Sequence, residues 1–155
     1  MPASLLDVNV WVAAAFAAHP AHHSAQTVLL RATPAAPALI CRATQQSFLR
    51  LVSTPAIFTA YQAAAITNQD ALAALVAIQA LPKVDLVDES IGMEGLWWRL
   101  AGLAVAAPKR WMEAYLAAFA ISTSTRMVTL DQDFRQFLGA GLNLELLQAD
   151  RHGGG

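Results

Sequence analysis

Apolar residues occur along this chain in two rhythms. Short continuous or alternating runs suit buried strands, and longer stretches with apolar positions three to four residues apart suit helices. The run at 5–6 opens a strand that passes into helix near Val12. The runs at 38–41, 84–87, 127–130 and 142–147 read as four more strands. Helical spacing predicts helices over 25–31, over 44–52 with Pro55 ending it, and over 67–80 with Pro82 stopping it. In the third of these, Leu72, Leu75, Val76 and Ile78 form the inward face. Two more helices follow. One is capped by the acids after Val87 and runs towards Ala104; the other covers 112–122, with Leu116, Phe119 and Ala120 inward and Pro108-Lys109-Arg110-Trp111 as a connector before it. Strand and helix alternate throughout, so the expected fold is a three-layer α/β/α sandwich around a mainly parallel sheet. Residues 1–150 are expected to make one domain, with 151–155 a frayed tail.

Composition narrows the chemistry. Only 14% of the 155 residues are charged and the formal net charge is -1, so the chain as a whole is no basic nucleic-acid binder. A local basic rim or a metal can still hold phosphate. Cys41 is the single cysteine, which excludes an intramolecular disulfide and a cysteine-based zinc site. His19, His22 and His23 read as a polar loop, because Pro20 interrupts the one pair with helical ligand spacing. Nothing basic precedes the first apolar run and Asp7 interrupts it, so no signal peptide is expected. Charged or polar residues and proline break the remaining apolar stretches short of the roughly 20 residues a membrane span needs. A cytoplasmic location is the expectation.

Asp7 and Asn9 stand two apart where the first strand should leave its sheet, and period-two geometry sends both to one side. Burying a carboxylate among apolar residues is costly without a partner, and a cation is a natural one. Asp131 ends a second apolar strand in the same way. In open α/β sheets such strand ends are where ligands bind. Glu113, read as opening a helix, either points at the same mouth or is a first-turn acid favoured by the helix dipole. Three carboxylates suit Mg²⁺ or Mn²⁺, which prefer oxygen ligands. Arg50, Lys109 and Arg110 are the candidate phosphate rim. Asp133 reads as a turn or cap, though two residues beyond Asp131 it could reach the same cleft, and Trp97, Trp98 and Trp111 read as core and contact residues rather than base-stacking platforms.

Four segments in register, LLDVNVW at 5–11, CRATQQSFLRL at 41–51, WMEAYLAAFA at 111–120 and VTLDQDF at 128–134, resemble PIN domains, and among them the VapC-type toxins of toxin–antitoxin pairs. The resemblance implies an Mg²⁺- or Mn²⁺-dependent ribonuclease, a homodimer, and silencing by a cognate VapB-like antitoxin. It assigns Asp7 as the first acid with Asn9 beside it, Asp131 as the last acid, and Thr129 as the hydroxyl that orients it. Glu113 stands where the family usually has aspartate, one methylene longer. Gln45 stands where it usually has glutamate, keeping a carbonyl but losing a charge. Gln45 therefore motivates an alternative, a catalytically weakened PIN domain that binds RNA or antitoxin. An aspartyl-phosphate phosphatase ranks below both, because Asn9 occupies the place of its second aspartate.

Overall fold

The computed structural model describes residues 2–151. Five strands, β1 (Ser4–Leu6), β2 (Ala38–Ile40), β3 (Val84–Leu86), β4 (Arg126–Thr129) and β5 (Asn143–Leu146), form one sheet in the order β3-β2-β1-β4-β5. Every pairing is parallel. Neighbouring residues on each central strand face opposite ways. Leu6, Ile40 and Val128 join the core under α1 (Val8–Ala15), α2 (His22–Arg31), α3 (Arg42–Val52) and α5 (Asn68–Gln79). Leu5, Leu39 and Met127 face the other core, with α6 (Met93–Ala101), α7 (Pro108–Ser122) and a 3₁₀-helical segment at Gln132–Ala140. That is the expected three-layer sandwich. Short α4 (Pro55–Ala60) links α3 to the approach of α5.

The chain builds outward from β1 to β3 on one side, then returns to lay β4 and β5 on the other. The carboxyl ends of β1 and β4 therefore flank the switch point where connections diverge, the usual place for a ligand crevice in such sheets. Leu6 pairs with Val128, and the Asp7 N–H donates to the Val128 carbonyl at 2.9 Å, so Asp7 and Thr129 leave the sheet side by side.

Several elements differ from the sequence expectation, each for a local reason. The first strand stops at Leu6 because the Asp7 carboxylate caps α1, accepting from the Val8 N–H at 2.7 Å. The β-branched residues at 8, 10 and 12 lie in that helix despite their strand propensity; Val10 and Val12 are buried with Trp11 and Ala13. Pro55 begins α4 rather than only ending α3, and Pro108 begins α7, because proline at a first helical position loses no hydrogen bond. Residues 108–111 are thus the first turn of α7, not a connector. On α5 the inward pair is Ala71 and Leu75, while Leu72 and Val76 are exposed. α6 starts after Gly92, not at the acids that follow β3, and ends at Ala101. Gly102 fits there because an added Cβ would lie 2.8 Å from the Trp98 carbonyl oxygen.

The start of α2 is capped from a distance. Its N-cap residue Ala21 offers no side-chain acceptor, and the Asp150 carboxylate accepts from His23 N–H at 2.9 Å, Ser24 N–H at 2.8 Å and Ser24 Oγ at 2.7 Å. An anion on free N–H groups at a helix start is stabilising. Asp150→Ala is expected to speed hydrogen exchange at His23 and Ser24 and to lower Tm slightly. Unchanged protection there would mean that the cap contributes nothing. Of the tail expected at 151–155, residues 152–155 lie outside the described residues, and Arg151 is exposed. Among the described residues no helix is long and apolar enough to cross a membrane.

Candidate active site

Asp7 sits between β1 and α1, buried, with both carboxylate oxygens engaged. Oδ1 caps Val8; Oδ2 accepts from Thr129 Oγ1 at 2.7 Å and from Asn9 Nδ2 at 3.3 Å. Thr129, at the last position of β4 and fully buried, is the hub. Its hydroxyl donates to Asp7 and accepts from Asn9 Nδ2 at 3.2 Å and from the Asp131 N–H at 3.0 Å. Asn9 Oδ1 completes the link by accepting from Leu130 N–H at 3.2 Å. Asp7 and Asn9 do meet, though through a helix cap and its first turn rather than along a strand.

Beyond β4, Asp131 caps the 3₁₀ segment by accepting from Asp133 N–H at 2.9 Å. Glu113 reaches the same place from the second turn of α7, braced by Gln136 Nε2 at 2.9 Å. Since α7 begins at Pro108, Glu113 is not a first-turn acid, and the helix dipole does not account for it. Glu113, Asp131 and Asp133 each bring a carboxylate oxygen within 4.8 Å of the others. Lys109 Nζ is the nearby counter-charge, 3.7 Å from Asp133 Oδ2.

These carboxylates crowd one another. Burial pushes the Asp7 carboxyl up from its usual range, against the lowering pull of the Thr129 and Val8 hydrogen bonds, and the charge of Asp131 adds to the rise. Glu113 is also raised, first by burial and then by the charges of Asp131 and Asp133. A carboxyl whose folded pKa exceeds its unfolded one takes up a proton on folding. The stability slope with pH is then negative across that window. The metal-free protein, held in EDTA, is expected to gain Tm as pH falls through the raised pKa values of Asp7 and Glu113, until their unfolded-state values are reached. A Tm that falls steadily on acidification from neutrality would contradict the crowding.

Asp7, Glu113 and Asp131 line a cavity of about 390 Å³ whose other walls are mostly apolar, including Trp97, Trp111, Tyr115 and Phe134. A second cavity of about 630 Å³ lies on the other side of Glu113, lined by Lys109, Arg110, Gln132, Asp133 and Gln136 among others. Leu103, Ala107 and Pro108 also line this second hollow, so the acids stand between two hollows, the second carrying Lys109 and Gln132 on a partly apolar wall.

A family model of the PIN domain matches residues 4–138. The chain belongs to the PIN-domain family. Ribonuclease VapC41 of Mycobacterium tuberculosis is 41% identical over 143 residues, covering 90% of this chain and 97% of that protein, in both the CDC 1551 / Oshkosh and H37Rv strains. Two solved structures share the fold at a TM-score of 0.60. One is VapBC2 from Rickettsia felis bound to a DNA fragment from its promoter, 14% identical over 92% of this chain and 97% of that one. The other is Mycobacterium tuberculosis VapC20, a sarcin–ricin-loop-cleaving toxin, 16% identical over 90% of this chain and 96% of that one.

Within this PIN domain the residues singled out from sequence divide into two groups. Asp7, Asn9, Glu113, Thr129 and Asp131 converge on one mouth. Gln45 does not line it. Its carbonyl accepts from Arg42 Nη1 at 2.5 Å and its amide donates to Gln79 Oε1 at 2.5 Å, tying α3 to α5. Arg50 lines a separate groove between α3 and α5. Lys109 stands at the rim, but Arg110 is occupied: Nε donates to the Leu100 carbonyl at 2.9 Å, Nη1 donates to Gln136, and the guanidinium lies 4.7 Å from the Phe137 ring centroid. Asp133, read as a turn or cap that could reach the cleft, is both: its N–H bonds Asp131 and its carboxylate joins the acid cluster. Gln136 and Gln79 left no signal, since each matters only through a contact made by folding.

Proposed function

We propose that this PIN domain is a divalent-metal-dependent endoribonuclease and the toxin of a toxin–antitoxin pair. What carries the proposal is the convergence of Glu113, Asp131 and Asp133 with Asp7 behind them at the β1/β4 switch point. The donor set is carboxylate oxygen without thiolate or imidazole, which fits Mg²⁺ or Mn²⁺. Glu113, Asp131 and Asp133 would hold the ion, with Asp7 on its buried side. When bound, such an ion neutralises phosphate oxygens and acidifies a water. Asp7, its pKa raised by burial, suits the role of accepting a proton from the attacking water at its carboxylate. Thr129 and Asn9 fix the orientation of that carboxylate and of the Asp131 backbone. Lys109 attracts the phosphate backbone to the mouth. RNA is the proposed substrate because the 41% identical relative is a ribonuclease.

The Rickettsia felis structure is a VapBC assembly, and we place a VapB-like antitoxin as partner of this chain and a second copy of the chain beside it. Trp98, Leu103 and Val105 expose an apolar surface on α6 and the loop after it, suited to one of these contacts.

The second reading, a weakened domain that binds without cutting, draws on Gln45. Its amide is committed to Arg42 and Gln79 and not to the mouth, so restoring a carboxylate should add little. Gln45→Glu is therefore expected to leave Mn²⁺ affinity, measured by titration calorimetry, and RNA cleavage unchanged. Absence of Mn²⁺ binding and cleavage in the wild type, with both appearing in Gln45→Glu, would favour the binding module.

A further inference from the structure

We infer that the apolar cavity beside the acids takes one unstacked nucleobase of a single-stranded RNA, with the adjoining phosphodiester at the carboxylates and Trp111 as the stacking face. The inference rests on the ribonuclease reading and specifies how that site holds its substrate.

Three observations support it. The first is that the Trp97 and Tyr115 rings of the cavity wall are held in place before any ligand arrives. Trp97 Nε1 donates to the Trp111 carbonyl at 2.8 Å, the Trp97 ring meets Tyr115 edge to face at 5.4 Å and 88°, and the Tyr115 hydroxyl donates to Glu89 at 2.7 Å. A wall that needs no ordering on binding lines a base at little entropic cost, and the indole of Trp111 stands beside it at the cavity. Trp111 itself is half exposed, so its indole is open to a ligand in the cavity it lines.

The second is adjacency. Asp7, Glu113 and Asp131 belong to the lining of this same cavity, so a phosphodiester at the acids places its attached base at the aromatic wall. Beyond Glu113 a second hollow carries Lys109 and Gln132, whose side chains can donate to the next phosphate. Aromatic-walled hollow, acids and the hollow bearing Lys109 and Gln132, in that order, match base, scissile phosphate and neighbouring phosphate of one strand. A purely apolar protein side chain would use only the first of the three. The third observation is Ser47, a half-buried residue of the cavity wall whose hydroxyl has no partner among the described residues and is free to meet a base edge.

A scan with fluorescein-labelled hexaribonucleotides, each carrying one abasic residue at a different position, tests this by anisotropy in Ca²⁺. The wild type is expected to bind the intact oligomer and to lose about 5- to 100-fold in affinity at one abasic position. Trp111→Leu keeps the apolar bulk and the backbone carbonyl that anchors Trp97. It should lose a similar factor on the intact oligomer and become indifferent to that abasic position, with an unchanged circular dichroism spectrum. No binding by the wild type, equal binding at every abasic position, or full position dependence in Trp111→Leu would each overturn the inference. Cleavage of total RNA in Mn²⁺ is scored separately. Base-dependent binding without cleavage would remove the ribonuclease reading and leave the base pocket. Cleavage with base-independent binding would remove the pocket and leave the hollow to a protein side chain.

Discussion

Asp7→Asn is expected to lower kcat for RNA cleavage on the order of 10²–10³-fold, the cost of removing one preorganised electrostatic group from a reaction centre, while leaving the fold intact. The two effects have one origin. The Asp7 carboxylate is buried, and both burial and the Asp131 charge push its pKa up, so the fold holds the charged form at a cost. Asparagine keeps an oxygen to cap α1 at the Val8 N–H and sheds the charge that is disfavoured there. Its amide nitrogen then faces the Asn9 Nδ2 donor and the Thr129 hydroxyl, so the relief of charge is offset by lost acceptance and Tm should change little. Kinetics with a saturating RNA substrate, beside thermal unfolding, separate the possibilities. Full activity in the variant would remove Asp7 from the chemistry. Lost activity accompanied by unfolding would make it a structural cap only.

Thr129→Val is expected to have the second-largest effect, and to damage stability and metal binding together. The substitution is nearly isosteric in a fully buried position, so packing hardly changes. It removes the hydroxyl on which Asp7 Oδ2, Asn9 Nδ2 and the Asp131 N–H all converge. Leaving such groups unpaired costs roughly 1–3 kcal/mol. Groups that orient metal ligands typically matter by about 10–100-fold in affinity. Urea unfolding and Mn²⁺ titration should register the two losses, and Thr129→Ser should recover both. Recovery of stability without Mn²⁺ affinity in Thr129→Ser would dissociate the hub from the metal site.

How much of this was legible in the sequence depended on the range of the interaction. The strands at 38–41 and 127–130 read correctly because their apolar runs are short, local and buried on both faces. The start of α7 did not, because Pro108 looks like a break yet supplies an ideal first helical position. That misplacement left Glu113 looking like a first-turn acid. The meeting of Asp7 and Asn9 was foreseen on the wrong geometry: a strand and a capped helix turn both bring residues two apart to one side. Asp150, which caps α2, and Gln79, which holds Gln45, were invisible because each acts over a sequence separation of 126 or 34 residues. Gln45 shows the limit of reading by resemblance. A residue can occupy a family position while its side chain bonds elsewhere, and only the fold reveals Gln79 and Arg42 as its partners.

The most direct test of the ribonuclease account is cleavage of a defined RNA by the purified protein in Mg²⁺, in Mn²⁺ and in EDTA, with product ends identified by mass spectrometry. Attack by a metal-activated water does not use the ribose 2′-hydroxyl. Cutting should therefore require the metal, persist when the 2′-hydroxyl at the scissile nucleotide is replaced by hydrogen, and give products that have gained one water with no cyclic phosphate. Cleavage that survives EDTA, or that ends in a 2′,3′-cyclic phosphate, would contradict a metal centre at Glu113, Asp131 and Asp133.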